Sequence, residues 1–141
     1  DPEIDRRPTG QDAVTQQCMV LSFVRRLPVN DHLYVVSKYA RGAEQVAARR
    51  ALRDILIPTL DSSVRPRYCV YELIARYYGK VVVLSEMAKR LEHQFPAKRA
   101  AQDARHAVNR LASEIESRLK DMAASVEEVC QTRFRDGGLI K

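Results

Sequence analysis

The chain has 141 residues, enough for one domain around a single core, and its 24 Lys+Arg against 18 Asp+Glu give a formal charge of +6. Gly is scarce, Trp is absent, and Ala, Leu, Arg and Glu abound, which favours helices over sheets, while no apolar run approaches the ~20 residues of a membrane span. Cys18, Cys69 and Cys130 are odd in number and far apart, which excludes a CxxC zinc framework and a full set of disulfides and suits a reducing cytoplasm.

Residues 1–10 hold two prolines, a glycine and mixed charge and read as a flexible arm; residues 11–134 read as one helical domain and 135–141 as a flexible tail. A first helix is expected from Gln11 or Asp12, with Val14, Cys18, Leu21, Val24 and Leu27 recurring at three to four residues until Pro28 stops it. Asn30-Asp31 is the expected cap of a second helix whose face is Leu33, Val36, Tyr39 and Ala40 and whose end is Gly42. Residues 43–56 form an expected third, with Val46, Ala47, Leu52, Ile55 and Leu56 inward, Arg49, Arg50 and Arg53 outward, and Pro58 as its stop.

Ser62-Ser63 is the expected cap of a fourth helix, which carries Pro66 in its first turn and buries Val70, Leu73, Ile74 and Tyr77. Gly79-Lys80 is a turn. The β-branched run 81–84 could be a short strand but is read as an extended entry to a fifth helix, capped by Ser85 and lined by Leu84, Met87, Ala88 and Leu91. Pro96 starts a long last helix to about Ala124, with the near-heptad seam Ala101, Ala104, Val108, Leu111, Ile115, Leu119 and Met122. A short helical segment, 126–134, follows it. The expectation is an all-α single domain of about six helices.

In a helix-turn-helix one helix braces a second, which presents polar and basic side chains to a groove of DNA. Residues 85–91 suit the brace, and the start of the Pro96 helix suits the reader. Opposite the apolar seam lie Lys98, Arg99, Gln102, Arg105, His106, Asn109 and Arg110, interrupted only by Asp103. Arg and Lys neutralise phosphate or bond guanine, and Gln and Asn pair with adenine edges. Arg99, Gln102, Arg105, His106 and Asn109 are therefore candidate base-facing residues, and Lys89, Lys98 and Arg110 candidate phosphate contacts. A solvated helix face would have a similar composition.

The stretches Leu73-Ile74-Ala75-Arg76-Tyr77-Tyr78-Gly79 and Leu84-Ser85-Glu86-Met87-Ala88-Lys89-Arg90-Leu91 resemble the helix-turn-helix of sigma-factor region 4 and of phage transcription regulators of the late-antiterminator type. Residues 73–124 would be the helix-turn-helix-like unit with its long helix. The resemblance implies a DNA-binding transcription regulator whose partners are double-stranded DNA and RNA polymerase. This chain departs from the pattern in its turn, Glu92-His93-Gln94-Phe95-Pro96, which is longer and lacks Gly, and in the length of the following helix.

Further basic clusters stand at Arg25-Arg26, Lys38-Arg41, Arg49-Arg50-Arg53 and Arg65-Arg67. Gathered on one side they would make a broad electrostatic footprint; scattered, they serve solubility. The six tyrosines lie near basic residues, as base-stacking side chains would, although tyrosines at helical spacing also line cores. No HExxH, paired-carboxylate or Gly-rich phosphate motif is present, and His32, His93 and His106 lack ligand partners in sequence, so no catalysis, metal or cofactor is expected. The rival from another class is a helical adaptor or structural protein, for which the seam 104–122 is a protein-binding or homodimer surface.

Overall fold

Residues 27–136 are described by the computed structural model, and all their regular structure is helical, with no strand among them. The helix expected from residue 11, the N-terminal arm and residues 137–141 lie outside the described residues. Five α-helices are present: α1 Val29–Tyr39, α2 Gly42–Leu56, α3 Arg67–Tyr77, α4 Leu84–Leu91 and α5 Ala100–Asp136. They form one domain around one continuous core.

Proline, rather than Ser or Asn, stands immediately before three helical segments. Pro28, Pro66 and Pro96 have φ of −51°, −59° and −56° with extended ψ, so the ring-fixed dihedral leads directly into a first turn. The expected polar caps are consequently displaced. Asn30-Asp31 lies inside the first turn of α1, where Asp31 is buried and the Ser125 hydroxyl donates to its Oδ2 at 3.5 Å. Ser62-Ser63 lies ahead of α3 and does not cap it. Ser85 is inside α4, whose cap position is the extended Val83.

Gly42 opens α2 instead of closing α1. Its φ of 62° lets the chain reverse after Ala40, so that α2 folds back on α1. Along α2 the buried residues are Ala48, Leu52 and Leu56, at i, i+4 and i+8; Ala47, expected inward, is exposed. Pro58 ends the helix in a 3-10 turn, Ile57–Thr59. α3 contributes Cys69, Val70, Leu73 and Ile74 to the core, and Tyr77 is half-buried. Its end is a Schellman motif: the Lys80 amide bonds Ala75 O and the Gly79 amide bonds Arg76 O, both at 3.0 Å, around Gly79 at φ 109°.

Residues 81–83 run extended into α4, unpaired as a strand, and α4 buries Met87, Ala88 and Leu91 with Leu84 half-buried. Two 3-10 turns, Glu92–Gln94 and Ala97–Arg99, then lead into α5. α5 is a single helix of 37 residues, about 55 Å long at 1.5 Å per residue. The expected stop near Ala124 is absent because neither Gly nor Pro occurs between Ala97 and Asp136, so the 126–134 segment simply continues it.

α5 is the spine. α1, α3 and α4 pack against it, and α2 packs on α1 and α3. The seam residues Ala104, Val108, Leu111, Ile115 and Leu119 are buried under those helices, together with Ala112. Ala101 is exposed, and Met122 is half-buried. Beyond it Val126, Val129 and Cys130 are half-buried against the core.

Candidate nucleic-acid interface

The seam that fills the core fixes which side of α5 faces outward. With Ala104, Val108 and Leu111 inward, residues three to four apart on the opposite face must emerge together. Gln102, Arg105, His106, Asn109 and Arg110 are all exposed on that face. Lys98 and Arg99 are exposed in the 3-10 turn that leads into it, and Lys89 is exposed on α4. The α4 stripe docks on α5, so Lys89 points away from the contact. Arg90, which the sequence reading passed over, is exposed beside Lys89; its only signal was its place next to Lys89 in the outward half of the α4 pattern.

The charges of this face are unspent. Arg99 reaches Asp103 only at 4.0 Å, and Lys89, Lys98, Arg105 and Arg110 make no ion pair among the described residues. Elsewhere the expected basic clusters are consumed in part. Arg49, read as outward, turns back, donates Nε to Ser37 O at 3.1 Å and covers the Tyr78 ring at 5.0 Å. Arg53, also read as outward, has a largely covered side chain and shares Asp54 with Arg67. Arg65 donates to Leu60 O at 2.8 Å, and Lys80 pairs with Glu72 at 2.8 Å. Arg25-Arg26 lies outside the described residues. Among the described residues the free positive charge therefore gathers on α4, the turn before α5 and the first half of α5, with Lys38, Arg41, Arg50 and Arg76 exposed elsewhere.

Along α5 the sign changes. Residues 98–110 carry four Lys+Arg against Asp103, whereas residues 114–128 carry five Asp+Glu against Arg118 and Lys120. At the start of this order Lys98 and Arg99 stand where the helix macrodipole favours acids. Helix stability does not explain them. The N-terminal end of α5, with Lys98 and Arg99 in the turn that leads into it, is instead attractive to anions.

A cleft of about 160 Å³ borders the same face, lined by Ser62, Ser63, Val64, Phe95, His106, Ala107 and Arg110. Its far wall is held by Glu114, one turn beyond Arg110. The Glu114 carboxylate accepts from the Asp61 amide at 2.7 Å, the Ser62 amide at 2.9 Å and the Ser62 hydroxyl. Burial pushes this carboxyl up, but the Ser62 hydroxyl, the two amides and nearby Arg118 outweigh it and hold it below the ordinary glutamate value. Sequence reading missed the 61–64 loop as part of this face because the contact spans more than fifty residues and has no local pattern.

The tyrosines divide. Tyr34, Tyr77 and Tyr78 form one cluster with ring centroids 5.1–6.1 Å apart, a Tyr34–Tyr77 hydroxyl bond of 2.9 Å, and a Tyr78 hydroxyl bond to Tyr34 O of 3.0 Å. These rings join α1 to the end of α3 and are not presented for stacking. Tyr39 and Tyr68 are exposed. Among the described residues no three His, Cys, Asp or Glu converge as a metal site, and burial pushes the Cys69 thiol up, away from the thiolate a nucleophile needs. No helix among the described residues is long and apolar enough to cross a membrane.

The chain matches no protein-family model, no curated protein and no solved structure, so the functional reading rests on the residues and their geometry.

Proposed function

We propose that this protein is a DNA-binding regulator that lays the first half of α5 against duplex DNA, with α4 as its brace. The observation that carries the reading is the set of cations around the start of α5, while seven of the other eleven Lys and Arg among the described residues have hydrogen-bond or ion-pair partners. Arg99, Gln102, Arg105, His106 and Asn109 face the bases, and Lys89, Lys98 and Arg110 hold phosphates. RNA polymerase is the second partner that the resemblance to sigma-factor region 4 and phage regulators brings. The eight residues from Glu92 to Arg99 make a longer link than the 3–4-residue turn of a compact helix-turn-helix. The proposed geometry is therefore a long helix laid along the groove, fed by a two-turn connection.

The adaptor reading needs an uncovered seam, and Ala104 to Leu119 is buried within the chain. A homodimer would have the half-buried strip of Met122, Val126 and Val129 to pair through, and it is compatible with DNA binding.

Fluorescence anisotropy of mixed duplex DNA at low and moderate salt tests the proposal. Micromolar or tighter binding is expected, and the slope of log K against log salt should flatten by about 3 in the Lys89→Ala, Lys98→Ala, Arg110→Ala triple variant, at ~0.9 per lost phosphate contact. An unchanged slope would remove those residues from the interface. Absence of binding at low salt would overturn the DNA reading itself.

A further inference from the structure

The cleft beside His106 and Arg110 is unlike the rest of the basic face, and it extends the DNA-binding reading on which it rests. Its lining combines the apolar Val64, Phe95 and Ala107 with the polar His106, Arg110, Ser62 and Ser63. Ser62 is already committed to Glu114, which leaves Ser63 as the hydroxyl without a bond among the described residues. A volume of about 160 Å³ is small against the ~300–1,000 Å³ of pockets for drug-sized ligands, and fits one planar heterocycle. A face that only tracked phosphates would need no apolar recess. An aromatic ring in a recess bordered by the Arg110 guanidinium suits an unpaired base with its phosphate.

We propose that this cleft receives a single unpaired nucleotide, its base against Phe95 and Val64 beside His106 and its phosphate on Arg110. The protein then prefers DNA carrying an extrahelical nucleotide to uninterrupted duplex. In an intact duplex that base is stacked and paired, and extruding it costs energy; a bulge supplies it already free. Stacking one base on an aromatic side chain corresponds to about 5- to 150-fold in affinity.

The test compares one duplex with the same duplex carrying a single bulged 2-aminopurine, by anisotropy and by the emission of the bulged base. The wild-type protein should bind the bulged form at least about fivefold more tightly and quench the probe, as stacking on an aromatic ring requires. Phe95→Leu, which keeps apolar volume, should lose the preference and the quenching while binding intact duplex as before. Ala107→Leu, which fills the cleft without removing a core side chain, should do the same and serves if Phe95→Leu does not fold. Equal affinity for the two duplexes, or a preference that survives Ala107→Leu, would overturn the cleft assignment and leave the duplex reading standing. Failure to bind either form would overturn both.

Discussion

Glu114 holds Ser62 twice, accepting from its backbone amide at 2.9 Å and from its hydroxyl, across a separation of 52 residues. One turn along the same helix Arg118 donates to Thr59 O at 2.6 Å. Two charged side chains of α5 thus lash down the loop between α2 and α3, which contains no regular structure after Thr59. Replacing Glu114 with Ala should cost about 2 kcal/mol, since bonds to a charged group are worth ~1.5–3 kcal/mol and this group is partly covered. The folded carboxyl lies below its ordinary value, so its contribution is fully present above the unfolded value near 4.3 and is lost as pH falls through the folded one. Urea midpoints should accordingly drop between about pH 5 and pH 3 in the wild type, and drop less in Glu114→Gln. Parallel pH profiles for the two proteins would show that Glu114 does not hold the loop.

Tyr78 joins α3 to α1 through its hydroxyl bond to Tyr34 O, beneath the Arg49 guanidinium. Burial first, then the neighbouring tyrosines, push the Tyr78 hydroxyl well above its ordinary value, and burial does the same to Tyr34. The neutral phenols are the stabilised forms, so their contribution persists below about pH 10 and is lost as pH rises through the raised folded values. In an alkaline absorbance titration Tyr34 and Tyr78 should ionise last of the six tyrosines, after Tyr68, which burial raises less, and together with the loss of helical ellipticity. Tyr78→Phe keeps the ring and removes one hydrogen bond, so it should cost about 1 kcal/mol and leave a single late phenol. If all six titrated together before helix loss, the cluster would be open to solvent.

Helix placement was legible in the sequence where the period of apolar residues was long and proline or glycine marked the ends. The seam of α5, the stripe of α4 and the stop at Pro58 all follow from local spacing. Cap assignments failed for one physical reason. Asn30, Ser62 and Ser85 are good caps in isolation, yet Pro28, Pro66 and Val83 occupy those positions and the polar residues are used elsewhere, Ser62 by Glu114. Outward arginines failed in part: Arg49 folds back because a carbonyl and an aromatic ring arrive from other elements, and Arg53 turns to its neighbour Asp54. The exposed face of α5 could be inferred from its buried one, whereas the cleft wall at residues 62–64 required the long-range contact.

Gly79 at φ 109° completes the Schellman end of α3, and a Cβ there would meet nothing within 4 Å. The cost of Gly79→Ala is therefore conformational and not steric crowding, about 1–3 kcal/mol. Gly42, at φ 62° and equally open, lies in the left-handed region that Asn tolerates, so Gly42→Asn should cost less. Thermal melts of the two variants check the order. A Gly79→Ala protein as stable as wild type would mean that the turn can relax out of its left-handed geometry.

Lys98 separates a structural from a functional origin for the charge order of α5. It stands in the turn that opens the helix, where the macrodipole disfavours a cation, and it makes no ion pair among the described residues. Lys98→Glu should therefore raise stability, by ~0.3–1 kcal/mol at low salt, because an acid at that end is favoured. On the proposed reading it should also weaken duplex binding, by removing a phosphate contact and placing a negative charge beside the DNA. The two effects have opposite value to the protein, as expected where a binding surface is kept at the expense of helix stability. Chemical denaturation and anisotropy on the same variant give both readings. A stabilised variant with unchanged DNA affinity would assign Lys98 to the solvated surface, and a destabilised one would show that the cation holds a contact within the fold.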